Sequence, residues 1–182
     1  MLFLSRVHPK KSIETLIATA SILQDRGETP SFLIAGTGEQ QYIDTLQKHI
    51  EQAGLREQFK FLGMVVGDTK LSFFAHADVF ALPTQQENFG LVYPEAMLCE
   101  TPVITTKGTD IWRELESGGG AMIVDRNATA FADAISSVLS DDAKRDEMGN
   151  AARRHILKWL DTGQVVTSYE AMYEKAVTVS AM

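Results

Sequence analysis

Two carboxylates, Glu87 and Glu95, bracket the stretch Asn88-Phe89-Gly90-Leu91-Val92-Tyr93-Pro94, so that seven residues separate them. The apolar run Asp78-Val79-Phe80-Ala81-Leu82-Pro83 ahead of Glu87 reads as a buried strand, and Glu95 falls early in a helix that continues through Ala96-Met97-Leu98-Cys99. Ionised carboxylates accept hydrogen bonds from hydroxyl groups. Between them, Asn88 and the Phe89-Gly90-Leu91 turn can aim backbone N–H groups at an anion, because the first donors of a helix lack intrahelical partners. A positive backbone end beside two hydroxyl-binding acids suits a phosphorylated sugar. The alternative is a pair of unrelated surface carboxylates, the common fate of glutamate.

A second group of reactive side chains lies near the start of the chain. Ser5-Arg6-Val7-His8-Pro9-Lys10-Lys11-Ser12 places Arg6, Lys10 and Lys11 in one turn. Arginine clasps phosphate oxygens bidentately, and lysine acts as a compact point charge. On its own this segment also fits a solvated basic turn. Gly36-Thr37-Gly38-Glu39 permits a tight turn with close backbone approach, either to a ligand or simply within the fold. In Phe61-Leu62-Gly63-Met64-Val65, Phe61 reads as a core residue, whereas Gly63, Met64 and Val65 are candidates for contact with a ligand.

These groups are positioned by alternating strand-like and helix-length segments. Strands are expected at Met1–Ser5, Phe32–Ala35, Phe59–Gly63, Val79–Leu82, Pro102–Thr105 and Ala121–Val124. Helices are expected over 11–25, 41–53, about 68–76, in the segment holding Glu95, around Trp112–Leu115, and over 127–139, 141–160 and 163–176. Gly54 reads as a helix stop and Asp141-Asp142 as capping acids, while Thr178–Met182 are expected to fray. Repeated strand–helix units with short connections imply an α/β fold, a Rossmann-like doubly wound parallel six-stranded sheet covered on both faces. Strands buried in this way read as continuous apolar runs, and these do. Arg6 then follows strand one, Gly36 and Gly38 strand two, Gly63 strand three, and Glu87 strand four. All fall at the carboxyl ends of parallel strands, the edge where open α/β sheets bind ligands.

Composition narrows the classes. The chain has 182 residues with 45% apolar content, the size of one ordinary domain. With 17 basic and 24 acidic residues the net charge is −7, which argues against general nucleic-acid or anionic-membrane binding. No apolar run is long enough to span a bilayer. Cys99 is the single cysteine, so no internal disulfide forms, and the four histidines are scattered without zinc spacing. A cytoplasmic protein is the default expectation. No Asp-x-Asp pair follows a strand, which argues against a divalent metal bridging a diphosphate. Trp112 reads as core packing and Lys107 as a rim cation.

The Glu87–Glu95 spacing resembles the Glu-x7-Glu signature of retaining, nucleotide-sugar-dependent glycosyltransferases with the GT-B fold, the group 1 or family 4 type. Ser5–Ser12 is similar to their Gly-Arg-x-x-x-x-Lys-Gly element, with serines in place of both glycines. Gly36–Glu39 resembles a Gly-x-Gly-Pro turn, with Glu39 for proline, and Phe61–Gly63 a Phe-Leu-Gly nucleobase-pocket segment. The resemblance covers nearly the whole chain but only the C-terminal, donor-binding half of such enzymes. It implies that Arg6 and Lys11 bind the donor diphosphate, with Lys10 a substitute for Lys11. It implies further that Glu87 holds the transferred sugar together with donors near Asn88–Leu91, that Glu95 binds ribose hydroxyls, and that Gly63, Met64 and Val65 line the base. No metal or other cofactor is expected, and no covalent nucleophile is nominated.

An acceptor-binding Rossmann-like domain would lie N-terminal to the segment seen here, in cis or in trans. The chain would then be an excised domain, a truncated reading frame or half of a two-chain enzyme, weakly active or inactive alone. The full enzyme could associate peripherally with a membrane. A final helix bearing Val165, Val166, Tyr169, Met172 and Tyr173 offers an apolar face for the partner domain or for another copy. Two rival classes stand: a non-catalytic nucleotide-binding or protein-interaction module, and a nucleotide-sugar epimerase relative.

Overall fold

Short apolar segments can bury their backbone polar groups only by pairing, and here they pair in parallel. The computed structural model describes residues 1–180. Its strands are β1 (Leu2–Leu4), β2 (Phe32–Ala35), β3 (Phe59–Gly63), β4 (Phe80–Leu82), β5 (Val103–Thr105) and β6 (Ala121–Ile123). They form one six-stranded sheet in the order β3-β2-β1-β4-β5-β6. Every strand pair is parallel. Between the strands run α1 (Ile13–Asp25), α2 (Gln40–Gln52), α3 (Gly67–Ala75), α4 (Val92–Leu98) and α5 (Trp112–Ser117). Three more helices follow: α6 (Ala128–Leu139), α7 (Asp142–Trp159) and α8 (Thr162–Ser180).

The helices close both faces of the sheet. α1 packs with α2 and α6, while α4 packs with α3 and α7. β1, β4 and β5 are buried throughout, and Phe80 makes edge-to-face contacts with Phe74 at 5.5 Å and Tyr93 at 6.0 Å. β3 departs from the expected continuous burial. It is an edge strand, so Lys60 projects into solvent and Phe61 is only partly covered. A charged residue on an open edge also discourages pairing with other chains.

Element ends follow local chemistry. Asn127 caps α6 by accepting from the Ala130 N–H at 2.8 Å, and Asp141 caps α7 through the Lys144 N–H at 3.0 Å, as expected of an acid at that place. Gly54 ends α2 with φ 69°. Ser12 adopts φ 52°, a left-handed conformation that suits glycine better. Its hydroxyl accepts from Gln85 Nε2 at 3.2 Å. α8 continues to Ser180, and positions 181 and 182, where fraying was also expected, lie outside the described residues.

Beyond the strand ends, the backbone keeps its pairing. Val7 bridges Gly38, and Glu87 bridges Thr109. Gly36 has φ 135°, and a Cβ there would collide with the Ser5 carbonyl, as one at Gly38 would with that of Val7. The close approach that these glycines permit is thus between the loops after β1 and β2. Gly36→Ala combines a collision with a forbidden dihedral, so it is expected to destabilise the fold by about 3 kcal/mol or more in urea denaturation. A loss under about 1 kcal/mol would show that the two loops are free to separate.

Candidate functional site

In a parallel sheet each crossover helix runs back against the strands, so the N-terminus of each such helix lies at the strands' carboxyl edge. The strand order reverses between β1, whose chain continues toward β2, and β4, whose chain continues toward β5. Loops leaving such a switch point in opposite directions open a crevice between them. The crevice here is a cavity of about 350 Å³ lined by Ser5, Arg6, Lys10 and Lys11 from the β1–α1 loop and Gln86, Glu87 and Asn88 from the β4–α4 loop.

Inside it, Lys11 is buried and its ammonium forms an ion pair with Glu87. The same Nζ also donates to the Gln86 carbonyl at 3.4 Å and to Thr84 Oγ1 at 3.5 Å. Thr84 is fully buried and donates in turn to the Gln86 carbonyl at 3.0 Å, and the Gln85 N–H donates to the Lys10 carbonyl at 2.8 Å. One lysine therefore stitches the first loop to the fourth. Arg6 behaves differently: its side chain is exposed, and it has no ion-pair or hydrogen-bond partner among the described residues. Lys10 is exposed as well and reaches Gln86 Oε1 at 3.4 Å. The free positive charge of the crevice is carried by Arg6 and Lys10.

Arg6 also borders a neighbouring cavity of about 660 Å³ that continues past Gly36, Gly38, Met64 and Val65. Residues from the ends of β1, β2 and β3 thus meet on one wall, with Met64 strongly exposed at 68%. Gly63, with φ 68°, accepts from the Gly36 N–H through its carbonyl at 2.7 Å and turns the chain toward Met64. The two cavities share Ser5 and Arg6. Together they form a trough: a basic end at the switch point and a more apolar end at β3.

The β4–α4 turn supplies the amides. The N–H groups of Asn88, Phe89, Gly90 and Leu91 donate to no acceptor among the described residues. Gly90 has φ 66°, and a Cβ there would press on the Tyr93 ring at 2.7 Å and on Glu87 Cγ at 2.8 Å. Tyr93 is wholly buried beneath the turn with its hydroxyl 2.9 Å from Thr105 Oγ1; burial pushes its phenol well above the ordinary range, so it stays neutral. Glu87 is fixed through its backbone too: its N–H donates to the Gly108 carbonyl at 2.8 Å, and its carbonyl accepts from the Asp110 N–H at 2.9 Å.

Several placements differ from the sequence reading. Glu95 borders neither cavity; it sits in the first turn of α4, where Lys70 of α3 binds its Oε1 at 2.5 Å. Phe89 and Leu91 project outward, and the Phe89 ring stacks on Trp159 of α7 with centroids 5.7 Å apart. Trp112 is not core: it is half-buried, with Lys107 5.1 Å and Arg113 4.4 Å from its ring centroid. Lys70, Thr84 and Trp159 escaped the sequence reading. Lys70 alone had a usable signal, its place in the first turn of a helix that starts at the same rim.

This geometry defines a class, a doubly wound α/β domain with a crevice lined by Arg6, Lys10 and Lys11 at its switch point. Residues 1–155 match the family described as glycosyl transferases group 1, and the chain belongs to that family. It is 32% identical over 158 residues to a D-inositol 3-phosphate glycosyltransferase of Paenarthrobacter aurescens, covering 85% of this chain and 39% of that protein. The chain therefore spans well under half the length of this relative. The structure of Anabaena HepE in complex with UDP superposes with a TM-score of 0.81 at 22% identity, over 93% of this chain and 48% of that one. The C-terminal domain of the group 1 family protein LpcC from Francisella tularensis aligns with a TM-score of 0.75 at 20% identity, over 86% of this chain and 83% of that one. The fold is accordingly that of a C-terminal Rossmann-like GT-B domain.

The two cations of the crevice should separate in a stability measurement. Lys11→Ala removes the ion pair and two further hydrogen bonds, and is expected to cost about 2 kcal/mol in urea denaturation, discounted for the partial exposure of Glu87. Arg6→Ala should stay within about 0.5 kcal/mol of the parent. Equal costs would contradict the division between a structural and a free cation.

Proposed function

We propose that this chain is the donor-binding half of a retaining glycosyltransferase that moves a sugar from a nucleoside diphosphate to a hydroxyl acceptor. The observation that carries the reading is the convergence of Arg6, the Lys11–Glu87 pair and Asn88, the first residue of the turn whose amides are unpartnered, on the switch-point crevice of a group 1 family member. A diphosphate leaving group gains negative charge as its bond to the sugar breaks. Fixed cations and amides placed there in advance stabilise that charge without reorganisation. Arg6 and Lys10 are free to take the phosphates, and Lys11, paired with Glu87, fixes the two loops beneath them. Glu87 lies at the junction and is placed to hold the transferred sugar, while the trough toward Met64 and Val65 has room for a nucleoside.

In this reading the crevice needs no metal, because cations and amides of the chain perform the charge stabilisation. The acceptor attacks on the face the diphosphate leaves, so configuration is retained. The acceptor site belongs to a second domain, and the chain alone binds donor with little turnover. One relative is named a D-inositol 3-phosphate glycosyltransferase and one structural neighbour is a complex with UDP, so UDP is the first donor nucleotide to try.

Isothermal titration with UDP, GDP, ADP and their sugars tests the proposal. One diphosphate is expected to bind clearly better than nucleoside alone, and Arg6→Ala to weaken it by about 1.5–3 kcal/mol, the scale of a hydrogen bond to a charged group. Absence of any nucleotide binding by a folded sample would favour the non-catalytic module instead.

A further inference from the structure

Glu95 is the one acid of the Glu87–Glu95 pair that lines neither cavity. It stands in the first turn of α4, 29% exposed at its side chain, and the partner it meets is Lys70, 24% exposed, from the first turn of α3. Both turns lie on the carboxyl rim of the sheet, because both helices run back from it. The contact is made by one carboxylate oxygen only: Nζ binds Oε1 at 2.5 Å, and Oε2 accepts no hydrogen bond among the described residues. The Lys70 ammonium donates only to Glu95 among the described residues, so donor capacity remains on it. The pair presents one open acceptor beside open donors, a complement to a vicinal diol, in which each hydroxyl both donates and accepts.

We infer that Lys70 is a positioning residue which fixes the Glu95 carboxylate for the 2′,3′-diol of the donor ribose. The inference rests on the donor reading above and adds a residue to it. A lone glutamate at a helix start is free to rotate about three side-chain torsions, and ordering them on ligand arrival weakens binding. Lys70 holds Oε1 beforehand, so that ordering precedes the ligand and Oε2 is left for the diol. The neighbourhood is sheltered: Cys99, one turn along α4, is partly buried, and burial pushes its thiol above the ordinary range. A charge-assisted contact at such a half-buried place is screened less than one in open solvent.

The test compares the chain with Lys70→Met and Lys70→Arg in calorimetric titrations against UDP and 2′,3′-dideoxy-UDP, or the corresponding GDP or ADP pair where that nucleotide binds more tightly. The parent chain is expected to prefer the ribonucleotide by about tenfold or more, the scale of hydrogen bonds to a charged acceptor. Lys70→Met should shrink that preference to about twofold, and Lys70→Arg should recover most of it. A purely structural lysine would lower the melting temperature and weaken both ligands alike, leaving the preference intact; that result, or a parent chain indifferent to the diol, overturns the assignment. Should Lys70→Met not fold, Lys70→Gln, which keeps a donor but no charge, is expected to show an intermediate preference. A parent chain that binds no nucleotide at all defeats the donor reading itself and this role with it.

Discussion

The ion pair between Lys11 and Glu87 joins two loops that leave the middle of the sheet in opposite directions, and the shape of the crevice depends on it. A doubly wound sheet opens at its switch point because β1 and β4 lead their chains apart. Burying a lysine there is costly unless an acid and further acceptors meet it. Glu87, the Gln86 carbonyl and Thr84 Oγ1 supply all three from the opposite loop. With Lys11 committed below, the mouth of the crevice is left to Arg6 and Lys10, whose charges face solvent.

The same constraint orders the amide turn. Glu87 is held by side chain and backbone together, so Asn88–Leu91 begin from a fixed point. Tyr93 supports the turn from beneath and Trp159 holds Phe89 from the side. The second acid is served alike by a lysine from α3. Each carboxylate of the spaced pair therefore stands against its own ammonium, reached across the fold.

Much of this was legible in the residues and part was not. The runs Phe32–Ala35 and Phe59–Gly63 coincide with β2 and β3, because a short apolar run between turn residues leaves the chain little choice. The capping role of Asp141 and the stop at Gly54 are local, set by atoms within one turn. The rim positions of Arg6, Gly36, Gly38, Gly63 and Glu87 followed from their places just after the expected strands, while Met64 and Val65 were pointed to by the resemblance. Partner choice did not. Lys11 finds Glu87 across 76 positions and Lys70 finds Glu95 across 25, distances over which neither periodicity nor spacing carries information. Trp112 reads from the sequence as core packing, yet its flat ring lies near two cations at the surface. β3 was expected to be buried because it is apolar, but its place at the sheet edge exposes Lys60.

The most direct measurement is an amide chemical-shift map of the chain as UDP is added, repeated with GDP and ADP. The largest shifts are expected to gather at Arg6, Gly38, Met64 and the Asn88–Leu91 amides, with the amides of Glu51 and Arg56 unmoved. Shifts centred instead on the groove between α2 and β3, near Glu51 and Arg56, would contradict that expectation, because the anion would then lie away from the switch point.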